Sequence, residues 1–168
     1  AGPTDKGRQL ACDIGWPAIV VSDKGHAEGV RMRDFGDFAN PASPRNAALV
    51  ECGQHWETES IEVAKDCVTG FLRHTGVVPV DFAQERMAKR PSRLPQRVYQ
   101  VSGPVTIKTD SFRFAQDWRG FEHLAKGSLI GHDGDEAVLA PHEPTVLIMP
   151  TRRLWPGKTA VRLAFPVP

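Results

Sequence analysis

The stretch from residue 48 to residue 76 constrains the fold of this chain more than any other part of the sequence. Leu49 and Val50 form a short apolar run that is typical of a buried strand, and Glu51 follows directly. Gly53 then allows a sharp change of direction, because glycine adopts backbone conformations that other residues avoid. Open α/β sheets bind their ligands at the carboxyl ends of the strands. Glu51 is therefore predicted to lie at such an edge.

A helix is predicted directly after this turn, from Thr58 to Gly76. Thr58 is a suitable N-cap, and acidic residues in the first turn complement the helix dipole. Gly76 is a typical C-terminal stop. The order of elements is therefore strand, acidic turn and helix. At helical spacing, the predicted inward face consists of Ile61, Ala64, Val68, Phe71 and Leu72.

The run Val50-Glu-Cys-Gly-Gln-His-Trp56, followed by this helix, resembles the general-base segment of the succinylglutamate desuccinylase/aspartoacylase family, whose members are similar to zinc carboxypeptidases. The resemblance implies a zinc-dependent hydrolase that cleaves the amide bond of a small acylated amino compound, with Glu51 as general base. It also implies a zinc ion held by two histidines and a glutamate. The family's His-Gly-x-Glu pattern is absent, so those ligands are expected N-terminal to this chain, and no metal ligand is assigned within it.

The resemblance and the sequence pattern together predict two domains. Residues 1–92 are expected to be the C-terminal half of a zinc-peptidase-like α/β domain with parallel strands. Residues 93–168 are expected to form a small antiparallel β domain, barrel-like or sandwich-like, because short β-rich runs alternate there with Gly, Pro and Asp.

Within the first domain, residues 6–14 predict a helix, and the apolar residues 18–21 predict a buried strand. Residues 22–44 have no regular period and predict a long loop, which is often functional. After the central helix, residues 77–80 predict a strand and residues 81–89 a short helix.

Composition narrows the classes of function. The net charge is +1, which gives no electrostatic footprint for nucleic acid. No apolar run reaches membrane-spanning length, and the three cysteines form no paired framework, so a cytoplasmic location is expected. A small molecule is the expected partner, and a homo-oligomer is possible.

Five further residues are candidates for substrate binding. Gln54 and His55 follow the acidic turn, and His26 lies in the long loop between glycines. Arg31 and Arg45 are candidates to grip a substrate carboxylate through paired hydrogen bonds. Each has an ordinary alternative: a solvated loop histidine, or an arginine in a surface ion pair.

Two other classes of function remain open on the sequence. The chain is alternatively a non-catalytic binding or scaffold module built on the β domain, or a family member that has lost its metal site. A cysteine hydrolase that uses Cys52 is disfavoured, because alternate residues of a strand point to opposite faces and Cys52 would point away from Glu51.

Overall fold

A computed structural model describes residues 1–24, 29–89 and 95–167. The chain divides into two compact units, Ala1–Val98 (unit 1) and Tyr99–Pro168 (unit 2). The predicted boundary between residues 92 and 93 lies outside the described residues. No helix in the described part of the chain is long and apolar enough to cross a membrane.

Unit 1 is mainly helical. Its first helix is capped by Thr4, whose hydroxyl accepts a hydrogen bond from Gly7 N, and it ends at Gly15 in the left-handed conformation. The predicted helix and strand near the start of the chain are confirmed. The elements are α1 (Asp5–Ile14), β1 (Ile19–Ser22), a 3₁₀ turn (Met32–Asp34), α2 (Gly36–Ala39), α3 (Thr58–His74) and α4 (Gln84–Ala88).

Two predicted strands of this unit are wrong. Residues 45–54 form no regular structure, and Leu49 is 45% exposed. Only Leu49 and Val50 of the apolar residues 47–50 have sizeable side chains, which offer too little surface to hold a buried strand. Residues 77–80 form turns instead, because the N–H groups of Val77 and Val78 fold back onto Leu72 O at the end of α3.

Helix α3 forms where it was predicted, but it buries a different face. Ile61 and Val68 are each 57% exposed, and Phe71 is 38% exposed. The buried side contains small or polar residues, and Gly70 lies so close to α1 that an added Cβ would sit 2.2 Å from Ile14 O. The helix thus approaches α1 through its smallest residues, and its larger apolar side chains face outward.

Unit 2 consists of strands, as the punctuated pattern predicts. Neighbouring strands pair in antiparallel fashion wherever the register is defined, between β3 and β5, β4 and β7, β5 and β6, and β7 and β8. One sheet of unit 2 has the order β2-β8-β7-β4 and the other the order β3-β5-β6. The strands are β2 (Arg97–Thr106), β3 (Arg113–Phe114), β4 (His123–Leu124), β5 (Leu129–Asp133), β6 (Glu136–Leu139), β7 (Thr145–Ile148) and β8 (Thr159–Val167).

Unit 2 has a continuous apolar core. Its main cluster is Trp118, Ile130, Ala140, Leu147, Val161 and Leu163, with a second cluster of Ile107, Phe112 and Ala160. The buried side chain of Asp133, at the end of β5, accepts hydrogen bonds from the backbone N–H groups of Lys108 and Thr109 and from the Thr109 hydroxyl. Burial alone would raise the pKa of Asp133, but these three hydrogen bonds outweigh it and lower the pKa below its usual value.

Candidate functional site

Glu51 lies on the irregular segment 45–54, just before α3. Its side chain is exposed, and within the described part of the chain it forms no hydrogen bond or ion pair. A carboxylate in this setting stays available to a substrate or to water. The sequence did not predict the hydrogen bonds that connect the chain before Glu51 to α1.

Lys6 organises the segment that leads to Glu51. Its ammonium group donates from α1 to four backbone carbonyl oxygens, at 2.6 Å to Asn40, 2.7 Å to Arg45, 3.1 Å to Ser43 and 3.2 Å to Asp37. Hydrogen bonds from a charged donor are shorter and stronger than neutral ones. One side chain therefore gathers the loop between α2 and residue 45 around the start of α1.

Asn46 continues this connection towards Glu51. Its Nδ2 donates to Lys6 O at 2.8 Å, while its Oδ1 accepts from Ala47 N at 3.0 Å. The chain five and six residues before Glu51 is thus tied to α1, through the side chain of Asn46 and through the hydrogen bond from Lys6 to Arg45 O. A sequence gives no signal for this arrangement, because carbonyl acceptors belong to every residue type.

The segment after Glu51 is fixed by the start of α3. Gly53 has φ 118°, which favours glycine. Gln54 O accepts from Glu57 N at 3.0 Å and from the Ser60 hydroxyl at 2.7 Å. The predicted N-cap is wrong by one residue, because Glu57 occupies that position and makes no side-chain cap. The side chains of Gln54 and His55 are exposed beside this turn, on the same short segment as Glu51.

The predicted arginines are engaged with local carboxylates. Arg45 Nη1 lies 3.1 Å from Asp37 Oδ2, and Arg31 Nη1 lies 3.9 Å from Asp34 Oδ2. Neither guanidinium contacts Glu51 in the described part of the chain. The Arg45 pair is largely exposed and contributes little free energy. His26 lies outside the described residues.

The titratable groups on the buried side of α3 are structural. Burial, followed by the proximity of Cys52 and Asp66, raises the pKa of the Cys67 thiol to about 11. Such a thiol stays protonated and unreactive at neutral pH. The buried carboxylate of Asp66 pairs with Arg86 Nη1 at 2.7 Å, which compensates its charge.

Within residues 1–24, 29–89 and 95–167, no three His, Cys, Asp or Glu side chains come together as a possible metal site. A catalytic zinc ion needs about three protein ligands, with one position left for water. The described residues of this chain therefore do not fit a zinc ion by themselves.

Two solved structures share this fold. Succinylglutamate desuccinylase from Vibrio parahaemolyticus superposes with a TM-score of 0.60 at 15% identity, covering 98% of this chain and 46% of that one. The enzyme of the same name from Vibrio cholerae superposes with a TM-score of 0.53 at 18% identity, covering 95% and 45%. This chain thus has a mixed α/β fold found within succinylglutamate desuccinylase structures. It spans about half the length of those chains.

The sequence comparison points to the same proteins. Succinylglutamate desuccinylase of Vibrio cholerae serotype O1, from the Classical Ogawa 395 and El Tor Inaba N16961 strains among others, is 32% identical over 75 residues. The match covers 42% of this chain and 22% of the relative. No family model matches the chain. The resemblance to the succinylglutamate desuccinylase family is confirmed over the 75 residues that match.

Proposed function

We propose that this chain is the C-terminal part of a zinc-dependent deacylase that hydrolyses the amide bond of a small acylated amino compound, of the succinylglutamate type. The observation that carries the proposal is the agreement of two comparisons. Relatives named succinylglutamate desuccinylase are 32% identical over 75 residues, and structures of the same name share the fold across nearly the whole chain.

Glu51 is the general base in this proposal. Its carboxylate takes a proton from the attacking water and later delivers it to the leaving amine. The free, exposed carboxylate supports this role, as do the backbone ties on both sides of it through Lys6, Asn46 and the start of α3. Gln54 and His55 contact the substrate beside it, and Arg45 exchanges Asp37 for a substrate carboxylate.

As the family resemblance implies, we expect the zinc ligands of the proposed enzyme N-terminal to this chain; among the described residues, no three His, Cys, Asp or Glu side chains come together as a ligand set. The 168-residue chain alone is expected to be catalytically inactive.

The outward apolar face of α3, formed by Ile61, Val68 and Phe71, supports the view that unit 1 is one part of a larger domain. These side chains are 57%, 57% and 38% exposed. Burying an aliphatic or aromatic side chain stabilises a domain by about 1.5–3 kcal/mol. The remaining half of an α/β domain offers apolar surface that can cover this face.

The test is Glu51→Gln in a protein that contains this chain together with the zinc-binding part, with succinylglutamate as substrate. The expected loss is about 10²–10⁴-fold in kcat, because general-base assistance contributes about that much, and bound zinc should stay unchanged. Glu57→Gln is the matched control, since Glu57 is also exposed and lies just before α3.

Near-normal turnover by Glu51→Gln, or loss of zinc from it, would remove Glu51 from this role. If wild-type protein with bound zinc released no succinate, the proposed activity itself would be wrong.

A further inference from the structure

We propose that unit 2 carries a binding cleft for a small organic carboxylate with an apolar body. The cleft has a volume of about 340 Å³ and lies between β3 with the loop that follows it and the loop after β7. That volume is at the lower end of the range for small-molecule sites. Every lining residue belongs to unit 2, so this inference stands independently of the proposed function.

The floor of the cleft is apolar and is fixed by the core. Trp118 is 8% exposed and donates its indole N–H to Ile130 O at 2.8 Å. Leu154 packs against the buried cluster of Ile107, Phe112 and Ala160. Because buried neighbours hold these side chains, the floor is formed before a ligand arrives.

The rim carries two arginines and one carboxylate. The guanidinium of Arg113, on β3, forms no ion pair or hydrogen bond with any residue that the structure describes. Arg152 Nη1 lies 2.8 Å from Asp117 Oδ1, but these side chains are 79% and 63% exposed. Exposed ion pairs contribute little. One guanidinium is therefore free, and the second can leave Asp117 at small cost.

The lining selects a ligand class through charge and shape. A guanidinium presents parallel N–H donors that match the two oxygens of a carboxylate. Arg113 and Arg152 together with Asp117 leave a net charge of one positive unit, which a single carboxylate neutralises. The aromatic and aliphatic floor suits an aryl or alkyl body. A monocarboxylate about the size of 3-phenylpropionate meets these conditions.

The experiment titrates 3-phenylpropionate into the 168-residue chain and follows the indole N–H resonance of Trp118 by NMR, assigned with Trp118→Phe. A saturable shift at millimolar ligand is expected. Arg113→Gln should weaken binding about tenfold, which corresponds to loss of one charge-assisted hydrogen bond. Arg153→Gln is the matched control, because Arg153 adjoins Arg152 but does not line the cleft, and it should change affinity by less than about twofold.

Two reference probes separate the contributions of charge and apolar contact. The alcohol 3-phenylpropanol lacks the carboxylate and acetate lacks the apolar body, so each should bind at least about tenfold more weakly. The proposal is overturned if no saturable shift occurs, if the alcohol binds as well as the acid, or if Arg113→Gln and Arg153→Gln weaken binding equally. Arg113 is exposed, so its variant should keep the wild-type spectrum away from the cleft.

Discussion

Replacing Lys6 by Met tests whether one ammonium group holds the chain that leads to Glu51. Methionine keeps most of the length and apolar character of the lysine side chain but removes all three N–H donors. In the wild-type protein these donors serve the carbonyls of Asp37, Asn40, Ser43 and Arg45 at 2.6–3.2 Å. The variant should therefore release residues 36–47 while leaving α1 intact.

The size of the effect follows from the donor count and from exposure. An ammonium with three N–H groups makes at most three full hydrogen bonds at once, so the four contacts include a shared one. Hydrogen bonds to charged groups contribute about 1.5–3 kcal/mol each, and ordinary ones about 1 kcal/mol. Most of these contacts are exposed, and water can replace the ammonium group as donor. Each of the three hydrogen bonds is therefore assigned about 1 kcal/mol. The expected loss is about 3 kcal/mol, a large part of a typical stability of about 5–15 kcal/mol.

Urea unfolding would measure the loss of stability, and hydrogen exchange with mass spectrometry would locate it in peptides that cover residues 36–47. Lys65→Met is the matched control. Lys65 makes a single exposed ion pair with Glu62, at 2.8 Å, and its loss should cost no more than about 0.5 kcal/mol. Equal destabilisation by the two variants, or unchanged exchange in residues 36–47 of Lys6→Met, would refute the reasoning.

Three further outcomes are expected. Gly70→Ala should destabilise the protein by about 2 kcal/mol or more in urea unfolding, because the new Cβ would lie 2.2 Å from Ile14 O and overpacking outweighs the helix preference of alanine; wild-type stability would contradict the close approach of α1 and α3. Iodoacetamide at pH 8 should label Cys12 and Cys52 well before Cys67, because burial raises the pKa of the Cys67 thiol to about 11. Mass spectrometry of digests gives the order of labelling, and earlier labelling of Cys67 would contradict its burial. The folded state lowers the pKa of Asp133, so this carboxylate stabilises the protein above its unfolded pKa, and that stabilisation is lost as the pH falls through the folded pKa. Asp133→Asn should therefore reduce the loss of unfolding free energy on acidification. An unchanged acid dependence would argue against the three hydrogen bonds.

Local signals in the sequence predicted where the helices and strands form better than they predicted which faces of them are buried. The helix starting at Thr58 is confirmed, since its propensity and its end signals are local. Its buried face was wrong because α3 carries apolar side chains on more than one side, and the close contact uses Gly70, which contributes no hydrophobicity to a periodic pattern. The predicted strand at Leu49 and Val50 is wrong, because two large apolar side chains do not outweigh the hydrogen bonds that Lys6 and Asn46 make just before them.

The candidate site was predictable to the extent that it is contiguous in sequence. Glu51, Gln54 and His55 are neighbours along the chain, so their common placement required no tertiary information. The role of Lys6 was not predictable, because its partners are main-chain carbonyls 31 to 39 residues away, and main-chain groups have no residue signature. The ion pair of Arg45 with Asp37 was not predictable either, because no sequence pattern marks it.

The strand order of unit 2 has a consequence for the time that its synthesis and folding take. Strand β8 lies beside β2, and Ser102 Oγ donates to Leu163 O across a sequence separation of 61 residues. Sheets closed by such distant pairings fold slowly, on the order of milliseconds to seconds, because a long loop must close first. A ribosome adding about 5–20 residues per second needs several seconds to pass from β2 to β8. During that interval β2 and β7 lack β8, the strand that lies between them in the sheet, so each exposes an unpaired edge while unit 2 is being made and not after it is complete.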